Sequence, residues 1–315
     1  MSVRIIRAGL QTTIQAGPRV GLRHLGVPAS GPADPLSMAL ANRLVGNSLL
    51  APALEATLTG VDLRFEIATW FAISGAPSSV DLNGSAIDFL VTCRANPGDE
   101  LHVGSATAGA RAYVAVAGGF VADEILGSAS TYLPAGFGGY QGRTLEDNDE
   151  LDVGPGNGDP VAESTPAEFR PPISRSWALR ACTGADIALL DGDSKERLFN
   201  TNFTIGNRAD RMGLQLDGRK LAVASGGRLP SAPVFPGCIQ CPENGVPFVL
   251  SVDAQTTGGY PRVAQIARAD RHLLGQLRPG AHLRLLRRSP TQAIDELHEK
   301  HAYWRAWLPG VAAVI

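Results

Sequence analysis

Short apolar runs separated by turn residues dominate the chain, and sustained helical periodicity is scarce. Runs of this length, bounded by Gly, Pro, Asn and Asp, predict the strands of a mainly β protein. In the first half they fall at 3–6, 62–65, 70–74, 79–82, 89–93, 100–103, 110–117 and 151–153. Asn83-Gly84, set between Val80-Asp81-Leu82 and Ser85-Ala86-Ile87, predicts a tight hairpin. In the second half the runs are 176–181, 186–190, 203–205, 229–241, 246–252 and 282–286. Residues 10–30 read as a long polar loop holding Arg19, Arg23 and His24. Residues 128–143, with Gly136, Gly138, Gly139 and Gly142 among Tyr132, Phe137 and Tyr140, predict an ordered but irregular loop.

Helical signals are few. Asp34 is placed to cap a helix with Pro35 at its first position, and Leu36, Ala39, Leu40 and Leu44 share one face before Gly46-Asn47 closes it. Residues 194–200 and 269–277 predict short helices. Residues 290–307 predict the clearest one, with Ala293, Leu297, His301, Trp304 and Leu308 roughly on one face. The stretch 154–172, rich in Gly, Pro, Ser and acids, reads as a linker. The expected division is 1–158, 172–289 and a helical extension 290–315.

Composition sharpens the picture. The 315 residues are 44% hydrophobic and 18% charged, enough to bury a core in two domains. The net charge of −2 argues against a nucleic-acid or anionic-membrane surface. Only Lys195, Lys220 and Lys300 are lysines. The abundance of Arg suits carboxylate or phosphate recognition, and a GC-rich genome produces the same bias. The N-terminal residues lack the apolar core of a signal peptide, and no apolar run reaches membrane-spanning length, so a cytoplasmic protein with reduced cysteines is expected. Cys238-Ile239-Gln240-Cys241 has C-x-x-C spacing, but no second ligand pair exists and the residues alternate like a strand, so these cysteines are read as structural.

The most unusual stretch is Asp253-Ala254-Gln255-Thr256-Thr257-Gly258-Gly259-Tyr260-Pro261-Arg262. An acid, an amide, two hydroxyls, a phenol and a guanidinium crowd one strand end, with two glycines to free the backbone. Such a loop suits a small polar or anionic ligand; the alternative is a tight turn whose side chains bond their own backbone. Gln11-Thr12-Thr13 with Pro18-Arg19-Val20 echoes Gln255-Thr256-Thr257 with Pro261-Arg262-Val263, which raises two related halves as a hypothesis. Asp210 beside Arg208 and Arg211 could hold a guanidinium for an anion, or make only a surface ion pair. Arg23-His24 with Asp34 offers an acid–base pair, with Asp34 also a helix cap. Glu55 is a lone acid in an apolar run and should meet an Arg. No phosphate loop, dinucleotide fingerprint, H-E-x-x-H or G-x-S-x-G occurs, and the Ala-Met-Lys-Met segment that carries biotin is absent. His298 and His301 have no third metal ligand near in sequence.

Seven blocks, in order, carry a likeness. They are Ser30-Gly31-Pro32-Ala33-Asp34, Leu40-Ala41-Asn42-Arg43-Leu44-Val45-Gly46-Asn47, Ala53-Leu54-Glu55-Ala56-Thr57-Leu58, Ala112 to Gly119, Gly127-Ser128 with Ser130-Thr131-Tyr132, Asp210-Arg211-Met212-Gly213, and Gln255 to Pro261. Over residues 3–288 the chain resembles the biotin-dependent carboxyltransferase family, also called the allophanate hydrolase subunit 2 family, whose members include the C subunit of 5-oxoprolinase and kinase-inhibitor antagonist proteins. The resemblance implies two tandem cyclophilin-like β-barrel domains. It implies a B subunit (kinase-inhibitor-like) and an A subunit as partners, and ATP-dependent opening of 5-oxoproline to glutamate. Fused relatives instead transfer a carboxyl group from carboxybiotin to urea. Because the sequence stops at Ile315 without a biotin carrier, the stand-alone role is expected, with ATP used by the complex and no covalent biotin here. The family usually has Arg where Ala254 stands, and the helix beyond residue 289 exceeds the usual end. On this reading Arg211 and Arg262 neutralise carboxylate or phosphate, and Gln255, Thr256, Thr257, Gly258, Gly259 and Tyr260 bind substrate. Asp34, His24 or Asp253 moves the proton. The alternatives are a carboxyltransferase acting on urea or a similar amide with biotin supplied in trans, and a non-catalytic protein that binds a kinase-inhibitor-type partner.

Overall fold

In the computed structural model, which describes residues 1–156, 158–224 and 229–315, most of the apolar runs become strands. The chain divides into two compact units. One comprises Met1–Arg19, Ser30–Ile173 and Trp304–Val314; the other comprises Val20–Ala29, Ser174–Tyr303 and Ile315. Asn157, within the expected linker, lies outside the described residues.

The first unit holds two antiparallel sheets. The six-stranded sheet runs Glu150–Asp152, Ser2–Arg7, Asp62–Phe65, Glu100–Val103, Val80–Leu82, Ser85–Ala86. The five-stranded sheet runs Gln11–Gln15, Ala53–Thr57, Arg111–Val116, Thr69–Gly75, Cys93–Ala95. Val3, Ile5, Leu63 and Phe65 of the first sheet share one core with Ile14, Leu54, Phe71 and Val114 of the second. Phe65 and Phe71 stack with ring centroids 5.1 Å apart. The Asn83-Gly84 hairpin forms as expected, both residues taking positive φ (53° and 76°) between paired Leu82 and Ser85.

Helix α1 (Pro35–Leu44) starts where Asp34 accepts hydrogen bonds from the backbone N–H and the hydroxyl of Ser37. The loop before it is tied to the sheet by Glu55, which meets an Arg as its burial requires. Glu55 Oε1 lies 3.3 Å from Arg111 Nε, while its Oε2 accepts from the Tyr113 hydroxyl and the Ala33 N–H at 2.8 Å each. The Tyr113 hydroxyl in turn accepts from the Asp34 N–H. Burial, and then the neighbouring Glu55 charge, push the Tyr113 phenol well above its ordinary value. The loop 128–143 is ordered around the buried Arg19, whose guanidinium donates to the carbonyls of Ile125, Ser128 and Ser130 and covers the Phe137 ring.

The second unit is built on a closed seven-stranded barrel in the order Ser176–Thr183, Arg262–Ile266, Cys238–Gln240, Phe248–Leu250, Gly213–Asp217, Asn202–Ala209, His282–Arg287. Only the closing pair, Ser176–Thr183 with His282–Arg287, is parallel. Alternate residues such as Trp177, Leu179 and Ala181 are buried, the period-2 signature of a strand covered on one face. Helix α2 (Gly192–Asn200) is capped by Asp191. Helix α3 (Pro290–Arg305) is fixed to this unit by Arg288–Glu296 and Arg180–Glu296 ion pairs, and by Lys300 Nζ donating to the Ala269 carbonyl.

Four expectations are corrected. Gln11–Gln15 is a strand rather than part of a polar loop. The side chains of Thr12, Thr13 and Gln15 are buried: Thr12 donates to the Ala8 carbonyl, and Gln15 donates to the Thr13 hydroxyl and the Thr131 carbonyl. The run 89–93 is broken by Leu90 at φ 60°, so the strand occupies Cys93–Ala95. Residues 186–190 form a 3₁₀ turn at Ile187–Leu189, and the expected helix 269–277 is a 3₁₀ stretch, Arg268–Gln276. The two Gln-Thr-Thr segments also differ in conformation. The first lies wholly in a strand, whereas the second is a loop that pairs only at Thr257–Gly258.

Candidate functional site

The strand Phe248–Leu250 delivers the chain to the loop 253–262, all within the barrel unit. Asp253, the first residue of the loop, is buried and faces the equally buried Arg211. Arg211 Nε donates to Asp253 Oδ2 at 2.7 Å and Nη2 to Oδ1 at 3.1 Å, and the Asp253 N–H donates to the Arg211 carbonyl at 2.8 Å. A two-pronged buried pair of this kind fixes the loop root to the turn at 210–213. Asp210 is not the acid that holds Arg211. Its Oδ1 accepts from the N–H groups of Met212 and Gly213, a side-chain turn that leaves Oδ2 without a hydrogen bond among the described residues. Arg262, at the other end of the loop, is held by Asp186, with Nε to Oδ2 at 2.7 Å. That bond raises the Arg262 pKa and, as the largest cause, lowers that of Asp186.

The loop middle borders a cavity of about 290 Å³ lined by Asp210, Met212, Gln240, Phe248, Gln255 and Tyr260 with Pro242 and Leu250. Its polar feature is a pair of carboxamides. Gln255 Nε2 lies 3.4 Å from Gln240 Oε1, and Gln240 Nε2 donates to the Tyr260 carbonyl at 3.3 Å. Gln240 is nearly fully buried, at 2% exposure. Sequence reasoning missed it, treating the Cys238 to Cys241 segment as structural. The alternation that makes 238–240 a strand was the available signal, because a Gln in so apolar a strand must find a partner or a ligand. The two cysteines are buried, and burial pushes both thiols to about 11.

Gly258 and Gly259 serve a different purpose from the one expected. Neither takes a positive φ. Each instead leaves room: a Cβ on Gly258 would lie 2.6 Å from Gln240 Nε2, and one on Gly259 would lie 2.8 Å from the Leu229 carbonyl oxygen. Thr257 and Gly258 pair with Ala232–Pro233, and the Thr256 carbonyl accepts from the Val234 N–H. Thr256 is buried, whereas Gln255, Thr257 and Tyr260 are exposed. Ala254 is fully buried with Val234, Cys238 and Leu250 in a small apolar cluster.

The structure therefore brings together Arg211, Asp253, Gln255, Thr256, Thr257, Gly258, Gly259, Tyr260 and Arg262 as one loop and its supports. His24 lies exposed in the 3₁₀ turn Arg23–Leu25 and belongs to the barrel unit. Asp34 belongs to the other unit, where both its oxygens are occupied by Ser37. Among the described residues no cluster of three or more His, Cys, Asp and Glu is arranged to hold a metal ion, and no helix is long and apolar enough to cross a membrane.

A mainly β chain with a closed barrel and this loop matches a defined class. The carboxyltransferase domain, subdomain A and B, matches residues 25–287, and the chain belongs to that family. Among individual relatives, it is 36% identical over 307 residues to the C subunit of 5-oxoprolinase from Escherichia coli (strain K12), covering 97% of this chain and 98% of the relative. It is 31% identical over 282 residues to the C subunit of 5-oxoprolinase from Haemophilus influenzae, covering 90% of each. The solved structure of the K. lactis urea amidolyase superposes with a TM-score of 0.89 at 29% identity, over 96% of this chain but only 20% of that one.

Proposed function

We propose that this protein is the C subunit of an ATP-dependent 5-oxoprolinase. In that role it works with A and B subunits, in the cytoplasm, to hydrolyse the lactam of 5-oxo-L-proline to L-glutamate. The observation that carries the reading is end-to-end likeness to bacterial proteins of that name, against a match to one fifth of the urea amidolyase. The cavity chemistry supports it. A lactam offers one N–H donor and one C=O acceptor, and the Gln240–Gln255 pair can supply a complementary acceptor and donor once its own weak 3.4 Å contact opens. Among the described residues no neighbour hydrogen-bonds Asp210 Oδ2, a carboxylate oxygen at the cavity suited to accept a proton or an N–H from substrate. Asp253 and Arg211 act in this reading as the strut that holds the loop, not as groups that touch substrate. Arg262 is held back by Asp186 in the same way. ATP is handled by a partner, since this chain carries no nucleotide motif, and biotin is not attached here.

A second reading has an observation of its own. Among the described residues the cavity lining contains no Lys or Arg, which fits a neutral amide such as urea better than a substrate bearing a carboxylate. That favours a carboxyltransferase supplied with carboxybiotin in trans. One reconstitution separates the two. The protein is mixed with A and B subunits, ATP and 5-oxoproline, each component omitted in turn, and glutamate and ADP are measured. Glutamate formed only by the full mixture is expected. No glutamate while the partners still bind would overturn the first reading, and turnover that requires added biotinylated carrier would establish the second. Binding without any turnover would leave the regulatory, non-catalytic alternative.

A further inference from the structure

Several arginines of the barrel unit are matched to acids: Arg180 faces Asp270, Arg211 faces Asp253, Arg262 faces Asp186 and Arg288 faces Glu296. Arg23 and Arg271 are partly buried without a carboxylate partner among the described residues. Arg23 Nη2 donates to the Val234 carbonyl at 2.5 Å and reaches the Gln255 carbonyl at 3.5 Å, and its guanidinium lies over the Phe235 ring at 5.2 Å. Its Nη1 is buried with no hydrogen-bond partner among the described residues. Along the same segment, the Cγ of Arg271 runs within 3.1 Å of where a Gly237 Cβ would stand. The Arg271 guanidinium is half-buried and has no hydrogen bond or ion pair among the described residues. The segment 234–237 thus lies beside two cations, one on the turn Arg23–Leu25 and one on the 3₁₀ stretch Arg268–Gln276, which Arg268 begins.

Burial lowers the pKa of Arg271, and the charges of Arg268 and Arg23 lower it further, with no carboxylate acting in the other direction. Burial alone lowers that of Arg23. A cluster of like charges in partial desolvation is unfavourable on its own and becomes favourable once an anion enters. Guanidinium forks match the paired oxygens of a carboxylate or a phosphate. None of the three lines the 290 Å³ cavity, so this is a second place, reached from the backbone of Gln255 rather than from its side chain.

We infer that Arg23 and Arg271 form a binding site for a small oxyanion, carboxylate or phosphate, beside the segment 234–237. The inference does not rest on the 5-oxoprolinase reading. The test is a titration of the intact protein with sodium phosphate and, separately, sodium acetate, at constant ionic strength balanced with chloride. Calorimetry and the melting temperature are followed for the parent, Arg271→Gln, Arg271→Lys and Arg208→Gln. Arg208 is exposed and stands outside the cluster. At least one oxyanion should bind and raise the melting temperature of the parent and of Arg208→Gln. Arg271→Gln should lose about tenfold in affinity, as expected for removal of a charge-assisted fork, and Arg271→Lys should recover part of it. Without added oxyanion, Arg271→Gln should melt at or above the parent temperature, because it relieves repulsion. Phosphate preference over acetate would mark a phosphoryl ligand, and the reverse a carboxylate. Equal binding by the parent and Arg271→Gln, no binding of either anion, or a lowered melting temperature for unliganded Arg271→Gln would overturn the inference.

Discussion

Replacing Arg211 with Met should expose what the buried pair with Asp253 does. The two side chains are 4% and 2% exposed and joined by bonds of 2.7 and 3.1 Å, so removing the cation strands a carboxylate in a dry site. Breaking such a pair costs about 3–5 kcal/mol. Unfolding in urea at pH 7, read by tryptophan fluorescence, should therefore show a deficit of about that size. Adding Asp253→Leu should recover most of the loss, as replacing both partners of a buried pair often does. A single variant within about 1 kcal/mol of the parent would refute the claim that the pair is desolvated. Turnover in the reconstituted complex adds the functional test. Recovery with the double variant fits a strut, and turnover that stays lost in a stable double variant would mean that the charges touch the reaction.

Other expectations test other parts of the molecule. Gly258→Ala should keep the fold, as judged by circular dichroism, but lower reconstituted turnover about tenfold or more, because its Cβ would displace the Gln240 carboxamide; unchanged turnover would remove Gln240 from the site. His272 is buried with Lys300 Nζ 3.3 Å from its Nε2, and burial, then the Lys300 and Arg180 charges, hold its pKa well below the ordinary value. Its folded pKa is depressed, so its share of stability should be present above about pH 6.5 and fall by up to ~1.4 kcal/mol per pH unit below it, a slope that His272→Gln should flatten in acid urea titrations. Trp307 stacks on Phe169 and lies under the Arg43 guanidinium at 3.5 Å, so Trp307→Ala should cost about 3 kcal/mol in urea unfolding; a loss below ~1 kcal/mol would mean that the segment 304–314 is not part of that core. Cys238 and Cys241, with thiols pushed to about 11, should resist a thiol reagent at pH 8 until the protein is unfolded.

The sequence by itself determined the features that are local. The apolar runs, the Asn83-Gly84 turn, the Asp34-Pro35 helix start and the amphipathic stretch after Pro290 depend on neighbours within a few residues, so they were legible from the chain. The need of Glu55 for an Arg was also legible, because an isolated buried acid is too costly to stand alone, although its partner Arg111 lies 56 residues away. The family followed from seven short blocks in order. What tertiary structure decided was pairing at a distance. Gln11–Gln15 is built of residues that read as loop, and only the carbonyls of Ala8 and Thr131 and the sheet around it make a buried strand of them. Arg211 could have turned to Asp210, one residue away, yet the closed barrel brings Asp253 to it instead and leaves Asp210 to its own turn. The same closure places Gln240 beside Gln255 and makes Gly258 a matter of space rather than of backbone angle. Which arginine is matched and which is left open depends on the acids that the fold carries to it. That is a property of the folded surface, and no spacing along the chain encodes it.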